Sequence, residues 1–122
     1  MQWLLHGPMT LAVSEALKRH GHATHDMTDL GLPPAADPRD VLKMADAKQW
    51  DILTTDGALS VAPFELDYWF GRSIVYLQLE GGDVEQDDAI DRIFQRYKRL
   101  TPGRLYTVTA SRVKVRQLPS RR

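Results

Sequence analysis

The run Ile52-Leu53-Thr54-Thr55-Asp56-Gly57-Ala58-Leu59 places one acidic side chain directly after a short apolar stretch. Such a run reads as a buried strand that delivers Asp56 to the carboxyl edge of a sheet. In open α/β sheets that edge is where ligands and metals bind. Asp56-Gly57 is also a common turn dipeptide, so turn formation alone accounts for the same residue. Thr54, Thr55 and Ser60 supply hydroxyls close by, but no base adjoins them and no Gly-x-Ser-x-Gly segment exists, which leaves no case for a serine nucleophile. Gly81-Gly82 reads as a turn, not as a loop that cradles phosphate.

Other residues invite chemistry and have plainer explanations. Histidines occur at positions 6, 20, 22 and 25. His20 and His22 straddle a helix end, where a histidine is favoured by the helix dipole, and their side chains should diverge. His22 and His25 should face opposite sides of a strand, so a histidine zinc site is not expected. Trp50, Tyr68, Trp69, Phe70 and Tyr76 could stack nucleobases. The plainer expectation is that Phe64, Trp69 and Phe70 pack a helix onto the sheet. Arg112, Lys114 and Arg116 alternate along one strand face, which suits phosphate contact and equally suits a charged guard on an unpaired edge.

The elements that must position these groups follow from hydrophobic period. Gln2 to His6 is a strand stopped by Gly7-Pro8; Thr10 caps a helix to about His20, ended by Gly21. His22 to Met27 alternates as a second strand, and residues 28 to 37 form an irregular loop. Asp37-Pro38 opens a helix that turns Val41, Leu42, Met44 and Ala45 inward and ends near Lys48. Ile52 to Thr54 is the third strand, a short helix follows Pro63, and Ser73 to Leu79 is a further strand. Asp83 to Leu100 is the longest helix, and Leu105–Val108 and Val113–Leu118 form a terminal hairpin around Ala110-Ser111. Alternating strands and helices predict an α/β class with a mainly parallel sheet.

Composition bounds the rest. A chain of 122 residues, 43% apolar and 26% charged, suits one domain with one core. It is read as residues 1–119 plus a basic tail, 120–122. Sixteen basic and sixteen acidic residues balance, so bulk charge does not draw the protein to nucleic acid or acidic membranes. The balance is uneven: Arg104 to Arg122 carries Arg104, Arg112, Lys114, Arg116, Arg121 and Arg122 without an acid, whereas Asp83 to Asp91 is acidic. Absence of cysteine excludes disulfides and thiol chemistry. No apolar run approaches a signal segment or a membrane span, so a cytoplasmic protein is expected.

Taken in order, several elements resemble the PIN-like superfamily, and in particular its short bacterial domains of uncharacterised function. They are Trp3-Leu4-Leu5 before a loop, Leu17-x-x-x-Gly21-His22, Asp29-Leu30-Gly31-Leu32, Asp40-Val41-Leu42-x-x-Ala45, Ile52-Leu53-Thr54-x-Asp56, and Val113-Lys114-Val115-Arg116-x-Leu118-Pro119. The resemblance implies a three-layer α/β/α domain with acids gathered at one end of the sheet. In active relatives those acids hold Mg²⁺ or Mn²⁺, which activates water against an RNA phosphodiester. The family's first acid falls on His6, its second on Asp40 (Asp37 if the register slips), its third on Asp56 and its fourth on Ala58. His6, Asp40 and Asp56 are therefore the implied metal ligands, with Asp40 and Asp56 catalytic and Thr54 positioning water. An imidazole at the first position shifts metal preference toward Mn²⁺, Zn²⁺, Ni²⁺ or Co²⁺. Asp37 and Asp40 are also explained as an N-cap and a first-turn acid.

The function expected is that of a PIN-like domain related to metal-dependent ribonucleases, with an incomplete acidic site and weak or lost RNase activity. If active, it is a Mg/Mn-dependent endoribonuclease, with Arg112, Lys114 and Arg116 contacting the RNA backbone. The alternative is a non-catalytic interaction module that binds RNA or an antitoxin-like protein. Self-association is also expected.

Overall fold

Trp3 and Leu4 show how the layers arise. Successive strand side chains point to opposite faces, and here each meets a separate apolar layer with no exposed surface left. The computed structural model describes residues 1–79 and 82–119. The expected turn residue Gly81 and the basic tail with Arg121 and Arg122 lie outside the described residues.

The elements run β1 (Gln2–His6), α1 (Leu11–Arg19), β2 (Ala23–His25), α2 (Pro38–Lys48), β3 (Asp51–Thr54), α3 (Gly57–Glu65), β4 (Ile74–Leu77), α4 (Asp83–Arg96), β5 (Arg104–Val108) and β6 (Val113–Gln117). The six strands are ordered β2-β1-β3-β4-β5-β6. All neighbours are parallel except the β5–β6 hairpin. One face packs against α1 and α4 through Val13, Leu17, Ile90 and Ile93. The other packs against α2 and α3 through Val41, Leu42, Leu59 and Ala62. The expected three-layer α/β/α architecture with a C-terminal hairpin is the one observed.

Local chemistry sets most boundaries. Thr10 accepts a hydrogen bond from Ala12 N and opens α1, and Gly21 turns the chain at φ +81°. Asp37 caps α2 by accepting from Arg39 N, with Pro38 at the first helical position. Arg19 pairs with Asp87, and His20 Nε2 lies 2.8 Å from Asp91, tying α1 to α4. That hydrogen bond holds the Asp91 carboxyl below its ordinary range, with Arg19 adding to the effect.

Several expectations are corrected. The second strand ends at His25, and Met27–Leu30 instead forms a single 3₁₀ turn. Asp26 and Asp29 accept each other's backbone N–H at 3.1 and 2.9 Å, a reciprocal cap that outweighs the strand alternation. The third helix starts at Gly57, before Pro63, because Asp56 caps it; Pro63 lies inside it, near its end. α4 stops at Arg96, short of Leu100, because Tyr97 is extended. Met44 is only half-buried. Trp69 is 47% exposed, whereas Phe70 is buried and Phe64 partly buried against the α2/α3 layer. Trp50 is buried and stacks on His25 with ring centroids 3.8 Å apart, so no nucleobase can take that face. Arg112 precedes β6 and does not share its strand.

Candidate functional site

The chain winds from β1 toward β2 and from β3 toward β4, so the strand order reverses direction between β1 and β3. Helices leave the two carboxyl ends on opposite faces there, which is the position of the ligand-binding crevice in α/β sheets. His6 and Thr54 are register partners on the two sides of this switch point. His6 is 5% exposed, and its Nδ1 lies 2.8 Å from Thr54 Oγ1. Thr54 Oγ1 also accepts from Asp56 N at 2.9 Å, and Asp56 Oδ1 accepts from Ala58 N at 2.9 Å to cap α3.

The two loops of the switch point are tied directly. Thr55 N donates to His6 O at 3.1 Å, and Thr55 Oγ1 donates to Pro8 O at 2.8 Å. Gly7 permits that approach: its φ is +87°, and a Cβ there would stand 2.5 Å from Thr55 Oγ1. His6, Thr54, Thr55 and Asp56 are thus one hydrogen-bonded unit, spaced along two strands that a parallel ladder brings side by side.

Burial holds the His6 imidazole below its ordinary range, with the Asp56 charge working in the opposite sense. His22 is lowered too, first by burial and then by the N-terminus and His20, with Asp51 opposing. The Nδ1 of His22 accepts from Trp3 Nε1 at 2.9 Å, which requires that nitrogen unprotonated. The unfolded chain therefore takes up protons near pH ~6.5 that the folded chain refuses. Stability is full above that pH and falls as pH drops through it. The slope for each imidazole is at most about 1.4 kcal/mol per pH unit. Urea midpoints should be lower at pH 5.5 than at 7.5, and His6→Gln should flatten the difference. Equal midpoints at both values would refute this.

Asp40 sits exposed in the first turn of α2, with its N–H bonded to Asp37 O at 2.9 Å. Asp37, not Asp40, lines a cleft of about 280 Å³ between α2 and α3, together with Ala58, Ala62 and Glu65. Among the described residues, no group of three or more His, Asp or Glu is gathered to hold a metal ion. The expected gathering of His6, Asp40 and Asp56 is not seen: His6 and Asp56 come together, while Asp40 serves the opening of α2.

Sequence reasoning missed two features. A cleft of about 460 Å³ lies over the carboxyl ends of β3, β4 and β5, with Thr55, Tyr76, Gln78 and Thr109 contributing polar groups. Position at strand ends was the available signal. At the opposite edge of the sheet, Asp51 has no exposure and accepts from Ser73 N and Ser73 Oγ at 2.8 Å and from Arg72 at 3.0 Å. The basic residues Lys114 and Arg116 are remote from the crevice. β6 is four strands from β1, roughly 19 Å at ~4.8 Å per strand. The Arg116 guanidinium lies 3.8 Å from the centre of the Phe64 ring.

No family model, curated protein or solved structure matches this chain.

Proposed function

We propose that the protein is a PIN-like domain related to metal-dependent ribonucleases, with an incomplete acidic site and RNase activity that is weak or lost. The observation that carries this reading is the buried His6–Thr54 hydrogen bond at the switch point, beside the single carboxylate of Asp56. Mg²⁺ dehydrates reluctantly and needs several well-placed oxygens. One carboxylate and a buried imidazole do not fit it. An imidazole suits Mn²⁺ or Zn²⁺ better, but His6 directs Nδ1 at Thr54, and Asp56 spends one oxygen on the α3 cap. His6 ties the ends of β1 and β3 through Thr54, and Asp56 caps α3.

Single-stranded RNA incubated with the protein and Mn²⁺ or Mg²⁺ should show cleavage barely above an EDTA control, and Asp56→Asn should leave that level unchanged. Asparagine caps helices as well as aspartate does, so the substitution tests chemistry rather than folding. Metal-dependent cleavage that drops tenfold or more in Asp56→Asn would mean a working nuclease and overturn the reading.

A further inference from the structure

β6 is the outer strand of the hairpin, and its open side carries a decipherable pattern. Leu118 N bonds Gly103 O and Thr109 N bonds Arg112 O, both at 2.9 Å, at the two ends of the β5–β6 ladder. In an antiparallel ladder, residues alternate between bonding the neighbour and facing away. With the Leu105↔Arg116 and Thr107↔Lys114 register, these two bonds fix the phase. Lys114 and Arg116 direct their backbone groups to β5. Val113, Val115 and Gln117 present theirs at the open edge. Among the described residues, none hydrogen-bonds them from outside.

The side chains alternate as well. Val113 packs with the α1/α4 layer, so Val115 points to that face, where it is 40% exposed. Lys114 and Arg116 stand exposed on the other face, with Arg116 braced on Phe64. A second copy would pair poorly here. Symmetric antiparallel pairing about Val115 sets Lys114 opposite Arg116 twice, and like charges directly across a ladder repel. An incoming strand with acids at alternate positions meets both cations and lays an apolar residue on Val115. The same two charges that reject self-pairing select such a partner.

We propose that β6 is a docking edge for an extended acidic segment of another protein, added to the sheet as a seventh strand with acidic and apolar residues alternating. The edge is remote from the crevice, so this surface and the proposed loss of catalysis stand or fall separately.

The probe is a fluorescent ten-residue peptide of alternating Glu and Val, followed by anisotropy against the whole chain, with a Lys/Val peptide as control. The protein should bind the Glu/Val peptide and not the Lys/Val one. Val115→Pro removes an outward N–H while leaving both cations, and proline is tolerated at such edge positions. It should weaken binding at least tenfold. Lys114→Glu with Arg116→Glu should reverse the preference to the Lys/Val peptide, which keeps the test decisive if proline disturbs the hairpin. Three results would overturn the proposal. One is Glu/Val binding unchanged in Val115→Pro when that variant melts like the parent. Another is polyuridylate that displaces the peptide and binds parent and Val115→Pro equally, which marks a phosphate-binding face. The last is a dimer that Val115→Pro converts to monomer, which marks a second copy as the occupant.

Discussion

Asp51→Ala should lower the unfolding free energy by about 3–5 kcal/mol, the range for removing one partner of a buried pair. The Asp51 side chain is 1% exposed and that of Arg72 is 27% exposed. Three donors converge on this carboxylate, from Ser73 N, Ser73 Oγ and Arg72. Alanine leaves the Ser73 N–H buried without an acceptor and the guanidinium without its counter-charge. Asp51 also begins β3 where it pairs with β1 and lies beside the start of β4, so the loss falls at the centre of the sheet. For a chain of this size the melting temperature should fall roughly 10–20 °C, using about 3–5 °C per kcal/mol. Arg72→Met should cost less, because both Ser73 donors still reach the carboxylate and the arginine is partly solvated. Thermal melts by circular dichroism would decide; a fall of less than about 3 °C for Asp51→Ala contradicts the clamp.

Trp3→Ala should cost a similar amount, about 3–5 kcal/mol, through a different cause. Trp3 has no exposed surface, meets Phe94 edge-on at 6.2 Å, and donates to His22. Alanine opens a cavity in the middle of the α1/α4 layer that the rigid sheet cannot close. Because small domains have only about 5–15 kcal/mol to lose, this variant should be partly unfolded at 37 °C. Trp3→Phe separates the contributions. It keeps most of the apolar volume and removes the donor to His22, so about 1–2 kcal/mol is expected. Urea titrations of the two variants would test this, and equal losses in both would mean the hydrogen bond, not the volume, dominates.

These two sites differ in how far the sequence exposes them. Trp3 belongs to a strand whose apolar run is plain, and its burial follows from the run. The caps at Thr10, Asp37 and Asp56 are equally local, since side-chain oxygens act on amides two residues ahead. Asp51 gives no such signal. Its partners lie 21 and 22 residues away, brought close only by the β3–β4 ladder. The same holds for His6 and Thr54, 48 residues apart. Sequence order marked both as strand ends but could not say that they would bond each other. Asp40 shows the reverse case: its place in the first turn of α2 is legible, while whether it joins His6 and Asp56 is settled only by tertiary packing. The start of α3 is less plain, because Asp56-Gly57 suits a turn as well as a cap and Pro63 falls inside the helix.

The Asp56 cap on α3 bears on descent. Under the proposed reading, a residue that anchors α3 is kept by selection on folding after any hydrolytic role has lapsed. His6 is held by a different tie, its buried hydrogen bond to Thr54, and caps no helix. Under that same reading, an acid at position 56 reports on helix anchoring as much as on chemistry.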